Sequence, residues 1–254
     1  MSEAGAPVLD PIHQFHVKVI APLHIFGVDA SFTNAALFMV IAALAVVVVM
    51  LIGTSSRNIV PSRLQTAAEA FYEFSQDMVR QTAGEDGMRF FPLVFTLFMF
   101  ILACNVIGLW PYTFEVMAQI FVTATFAFSI IFLVVGYGVY KHGLHWFNVF
   151  KPSGVSPFML PFIVPIEVLS FISRPVTLSV RLFANILAGH IMLVVFGGFV
   201  VMLLGAGAYA LLAPLPLAGI VLLTAFEGLV AVLQAYVFAI LTCVYLVDAL
   251  HPGH

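Results

Sequence analysis

The chain has 254 residues, 63% of them hydrophobic and 8% charged, with a formal net charge of −3. A water-soluble domain carries about a quarter charged residues, so this chain cannot cover a folded surface in water. No basic run offers a surface to nucleic acid, and Cys104 and Cys243 lie in apolar stretches without a second ligand at metal spacing.

Residues 1–34 contain Asp10, Lys18, His13, His16 and His24 but no apolar core, so they read as a solvated or interfacial segment rather than a cleavable signal. A hydrocarbon core of ~30 Å needs about 20 apolar residues in a helix. Runs near 35–53, 90–110 and 120–140 meet this need, ending at Thr54-Ser55-Ser56-Arg57, Pro111 and Lys141. From Pro157 to Leu250 the chain is almost continuously apolar, with its best break between Gly205 and Pro216. The resulting spans, near 157–204 and 208–250, exceed one perpendicular crossing. They are strongly tilted, broken or laid partly along the membrane. The predicted fold is an all-α integral membrane protein of about five embedded helices. Residues 1–34 form a periplasmic segment, and 35–254 a single membrane domain.

Between the first two runs, residues 61–80 have a different pattern. Pro61 suits the first position of a helix, with Ser62 as a weak cap. Leu64, Ala67, Ala68, Phe71, Phe74, Met78 and Val79 follow near-helical spacing, with Glu69, Glu73, Asp77 and Arg80 elsewhere. This predicts an amphipathic helix on the membrane surface or against partner helices; a solvated linker helix is the alternative. Arg57, Arg63, Arg80 and Arg89 follow the first span, and Lys141 and Lys151 the third. Only Glu115 lies between the second and third. That asymmetry predicts an outer N-terminus and a cytoplasmic C-terminus.

An ionisable side chain at bilayer depth costs ~2.5–3.5 kcal/mol or more. Glu167, Arg181, His190 and Glu227 all incur that cost, with Asn185 and Gln234 as neutral companions; Arg174, beside Pro175, is placed nearer an interface. Arginine stays protonated under almost any burial, so Arg181 is a fixed cation rather than a proton relay. Beside a carboxylate it would keep that group ionised. An internal ion pair with Glu167 or Glu227 is the competing reading. At 100° per residue Glu167, Arg174, Arg181 and Asn185 share a helix face, while His190 points to nearly the opposite side, about 13.5 Å along the axis. Glu227 and Gln234 share a stripe, with Tyr245 eleven residues beyond. Pairing the two helices would bring Gln234 to the Arg181 face and Glu227 to His190. His190 and Glu227 can form a proton relay or a static bridge. His142 and His145 have the spacing of a metal pair but no third ligand, so no metal or cofactor is expected. Gly53, Gly108, Gly136, Gly138, Gly189, Gly197, Gly198, Gly205 and Gly207 read as close-packing positions.

The stretch Thr177-Leu178-Ser179-Val180-Arg181-Leu182-Phe183-Ala184-Asn185-Ile186, followed by Leu187-Ala188-Gly189-His190, resembles the signature of subunit a of rotary F-type, proton-translocating ATP synthases. Leu233 to Phe238, Val244 to Leu246 and Asn105 to Pro111 extend the likeness. The opening Asp10 to Phe15 is similar to alphaproteobacterial members. The resemblance implies a non-catalytic stator subunit in the bacterial inner membrane, beside a ring of c subunits and held by peripheral-stalk b subunits. It implies that Arg181 separates two aqueous half-channels and keeps the passing ring carboxylate ionised, and that Asn185 and Gln234 line that contact. Glu167, His190 and Glu227 would line the half-channel by which protons enter during synthesis, with Tyr245 further along the same helix. It also implies that the last two helices are long and tilted. A secondary transporter would instead show internal repeats, and a structural scaffold would not need the inward polar groups.

Overall fold

The uninterrupted apolar stretches, and the charged amphipathic stretch between the first two of them, fold here as long helices. In the computed structural model, which describes residues 15–22, 24–25, 28–29, 31–55, 62–110, 113–151 and 158–250, these are α1 (Asn34–Ser55), α2 (Arg63–Gly87), α3 (Phe91–Gly108), α4 (Ile120–His142), α5 (Leu160–Gly205) and α6 (Pro214–Leu250). Five helical runs are long and apolar enough to cross a membrane, with α2 and α3 forming one continuous run. Their outer faces carry Leu44, Leu51, Phe121, Phe132, Leu215 and Leu222, all exposed. A surface this apolar is stable only when lipid or partner helices cover it. His13, Arg57, Pro61, Pro111, Pro157, His251, His254 and most of the Asp10–Phe15 motif lie outside the described residues.

The break expected between Gly205 and Pro216 is a tight connection. Gly207 adopts φ 63°, a left-handed conformation open to glycine at no steric cost, and a 3₁₀ turn Gly207–Leu212 leads into α6. The long segments before and after it are each a single helix. α5 passes through Pro165 and Pro175 without a break, although each proline removes a backbone donor. At about 1.5 Å per residue, its 46 residues extend about 69 Å. That is more than twice the ~30 Å hydrocarbon core, so α5 must lie steeply inclined.

The amphipathic helix, α2, packs against α1, α3 and α6, with Ala68, Ser75, Met78 and Val79 buried. Leu64 and Phe74, expected on its apolar face, are exposed. Ser62 does cap it, its hydroxyl accepting from the Gln65 amide at 3.3 Å. Gly84, at φ 67°, then kinks the helix, and Arg80 pairs with Glu85 across the kink at 2.9 Å.

The all-α expectation missed four short strands before α1. β1 (Val19–Ala21) pairs with β4 (Phe32–Thr33), and β2 (His24–Ile25) with β3 (Val28–Asp29), both antiparallel. Asn34 fixes the base of this unit, its amide donating to Lys18 O and its side-chain oxygen accepting from Lys18 N, each at 3.0 Å. Thr33 caps α1 by accepting from the Ala36 amide at 3.3 Å.

Not all the glycines read as packing positions are tight. A Cβ on Gly53 would approach Ala68 Cβ to 2.7 Å, and one on Gly138 would strike the Trp146 indole, whereas Gly136, Gly197, Gly205 and Gly207 have no such neighbour among the described residues. Trp146 is fully buried and edges against Phe147, Phe150 and Phe171, with Phe171 meeting Tyr245 at 6.1 Å. Trp146→Ala should therefore destabilise the chain by about 3–5 kcal/mol, read as a lower unfolding temperature in detergent. Tyr140→Ala, at a site 89% exposed, should leave that temperature nearly unchanged.

Candidate functional site

The site is built on the antiparallel contact of α5 and α6, closed on one side by α3 and the α3–α4 connection. His190 of α5 places Nε2 at 3.5 Å from Glu227 Oε1 of α6. The same nitrogen is 3.7 Å from Oε2 of Glu115, in the α3–α4 connection. All three side chains are largely buried. Glu115 Oε1 and both Glu227 oxygens have no hydrogen-bond partner among the described residues. Burial pushes the Glu115 carboxyl above the usual carboxylate range, and the His190 imidazole partly offsets the shift.

Two glycines make room for these acids. A Cβ on Gly108 would run into the Glu115 carboxylate, and one on Gly189 would come within 2.6 Å of Glu227 Oε1. These glycines seat carboxylates, where the sequence suggested close helix packing. Asn105 locks α3 to α6 by donating from Nδ2 to Ala231 O at 3.1 Å. The Phe15 ring stands edge-on to His190 at 5.9 Å, and Gln119 Nε2 holds the Phe15 carbonyl at 2.9 Å.

Three cavities follow the α5–α6 seam. The largest, about 770 Å³, is lined by His16, Lys18, Asn34, Thr113 and His190. The second, about 260 Å³, lies against Asn105, Glu115, Glu227 and Asn185. The acid–imidazole cluster therefore stands between the first cavity and the second, and the second extends to within one helical turn of Arg181. A third cavity of about 340 Å³ is lined by Ser173, Arg174, Thr177, Arg181, Val237 and Ile240. Arg181 and Asn185 are exposed on the outer face of α5. No carboxylate among the described residues lies within ion-pair distance of Arg181.

The expected meeting of Glu227 with His190 is present. Gln234 shares Glu227's inward stripe and is buried, its Oε1 without a hydrogen-bond partner among the described residues; Arg181 shares its cavity with Val237, one turn further along α6. Tyr245 is buried against Phe171, its hydroxyl likewise unpartnered.

The resemblance places Glu167 along one half-channel with His190 and Glu227; in the structure 23 residues of unbroken helix separate it from His190, about 34 Å. Its partner is Arg174, at 3.7 Å, and Arg174 also faces Asp248 of α6 at 3.9 Å. Arg174 thus bridges two acids, one of them its stripe neighbour Glu167. Asp248 and Glu115 were missed. Asp248 continues the seven-residue steps of Glu227, Gln234 and Leu241, and Glu115 is the only charged residue between Arg89 and Lys141. His142 Nε2 lies 3.2 Å from the Leu250 carbonyl, a contact in which the ring donates.

Five helical runs long and apolar enough to cross a membrane, packed around a buried acid–imidazole cluster, define an all-α integral membrane protein. The profile of the ATP synthase A chain family matches residues 36–247. Proteins named ATP synthase subunit a are similar over nearly the whole length. The one from Beijerinckia indica is 60% identical, covering 97% of this chain and 98% of its own. The one from Mesorhizobium japonicum is 55% identical, with 98% and 100% covered, and that from Rhizobium etli 55%, with 96% and 98%. The chain belongs to the ATP synthase A chain family.

Gly108→Ala should push the Glu115 carboxylate away from His190 rather than unfold the chain, because the tip of a flexible side chain can yield. The imidazole nitrogen resonances of His190 should move in this variant. They should remain in place in Gly136→Ala, where a Cβ meets nothing within 4 Å.

Proposed function

We propose that the chain is the proton-conducting stator subunit of an ATP synthase membrane sector, lying against a ring of c subunits and held by peripheral-stalk b subunits. Protons enter through the cavity at His16, Lys18 and His190, cross the cluster, and reach the ring face at Asn185. After nearly a full turn on the ring they leave past Arg181 through the cavity near Arg174, Glu167 and Asp248. In this reading the N-terminus is periplasmic, the C-terminus cytoplasmic, and the membrane the bacterial inner membrane.

The reading is carried by one observation: Arg181 is a permanent cation, exposed on α5 beside a cavity, with no carboxylate among the described residues within ion-pair distance. Such a charge attracts an ionised ring carboxylate and repels a free proton, so it separates the two paths. Asn185 lies one turn from it on α5 and offers a neutral hydrogen-bonding group to the passing carboxylate; Gln234, buried on α6, supplies a second neutral amide behind that face. Tyr245 lies on the exit side, toward Arg174 and Asp248. Nothing in this scheme makes or breaks a covalent bond within the chain, so the chemistry of ATP belongs to partner subunits.

Arg181→Ala should abolish ATP-driven proton pumping by the whole complex in reconstituted vesicles. Arg181→Lys should not restore it fully, since lysine lacks the planar, always-charged guanidinium. Unchanged coupled pumping in the alanine variant would overturn the proposal. For the cluster, exchanging the residues at 190 and 227 should preserve more transport than either single alanine change. Equal losses in all three would favour a static bridge.

A further inference from the structure

The His190–Glu227 pair has a neighbour that a two-residue relay does not use. Glu115 is 3% exposed, and its Oε2 is as close to His190 Nε2 as ion-pair geometry requires. Its other oxygen has no hydrogen-bond partner among the described residues. Gly108 leaves the space its carboxylate occupies. The group lines the same cavity as Glu227 and Asn185, on the far side of His190 from the larger cavity.

Charge counting then constrains the cluster. Two carboxylates around one imidazolium leave a net negative charge in a setting where uncompensated charge is costly. One further proton on either carboxylate removes it. Without Glu115, imidazolium and Glu227 already balance and the demand for that proton disappears. Among the described residues, the other titratable groups around the cluster are Cys104 on α3, near Glu115, and His16 and Lys18, which line the larger cavity with His190.

We infer that Glu115 is a second proton-exchanging carboxyl of this site, and that Glu115 and Glu227 together hold one transferable proton with the His190 imidazolium as their common counter-charge. A proton arriving from the larger cavity converts one carboxylate to a carboxyl. Its release toward Asn185 restores the carboxylate, and the imidazolium keeps its charge throughout. The inference rests on the proton-conducting reading above and extends it by naming the group that makes the cluster accept a proton.

The test measures proton flux through the membrane sector of the whole complex in vesicles, as a function of pH on the side of the larger cavity. Glu115→Gln should move the half-maximal pH downward by about one unit, a tenfold weaker proton affinity. Glu115→Asp, which keeps the charge, should stay near the wild-type midpoint even if its rate falls. A wild-type midpoint in Glu115→Gln would overturn the inference, as would an equal displacement in both variants, which marks a packing role. If Glu115→Gln does not assemble, Gly108→Ala decides, because it moves the carboxylate without removing it. A downward shift there supports the inference, and an unmoved midpoint overturns it. Arg181→Ala measured in parallel separates the two levels. Full pumping in that variant defeats the broader reading, whereas its loss alongside an unmoved Glu115→Gln midpoint defeats only this one.

Discussion

The register of α5 against α6 is the constraint on which the remainder of the molecule depends. It places His190 opposite Glu227 near one end of the seam and Arg174 opposite Asp248 near the other. Arg181 lies between them, on the same stripe as Arg174 but beyond ion-pair distance of any carboxylate among the described residues. A slip of one residue would rotate each side chain by about 100° and leave buried carboxylates without a cation, a costly outcome in a low-dielectric interior. The ion pairs thus select the register, and in that register Arg181 has no carboxylate partner among the described residues. The Asn105 hydrogen bond to the Ala231 carbonyl ties α3 into the same arrangement, and with it the connection that carries Glu115.

Most of the helical architecture was legible because its signal is strong and local. Apolar runs long enough to cross a bilayer fold as helices, and the concentration of glycine and proline after residue 204 marks the turn into α6. The meeting of Glu227 with His190 was also legible, since seven-residue steps keep side chains on one stripe. What escaped depends on contacts between distant segments. Glu115 sits in a connection, where periodicity carries no information about burial, and only its isolation among 50 uncharged neighbours hinted at a role. The stripe that joins Glu167 to Arg174 was legible, and the two pair; the distance of both from His190 follows from the unbroken course of α5 through two prolines. The strands before α1 are two or three residues long, too short for an alternating pattern to emerge.

Glycine has a particular function at the cluster. Gly108 and Gly189 do not serve a turn; each leaves a space that a carboxylate fills. An apolar helix pair can thereby hold acids at its core without being forced apart. The cost of their burial is met jointly by the imidazole and by the neutral state that a carboxyl can adopt.

α5 has a further geometric property. Arg181 stands close to its centre, with 21 residues before it and 24 after it between Leu160 and Gly205. When the two ends of a rigid rod rest in opposite interfaces, the midpoint stays at the same depth however the rod leans. Changes in bilayer thickness or in the lean of α5 would move its termini across the membrane plane while leaving the guanidinium near mid-depth. With its ends held in opposite interfaces, such a helix would be a self-centring mount for its charge.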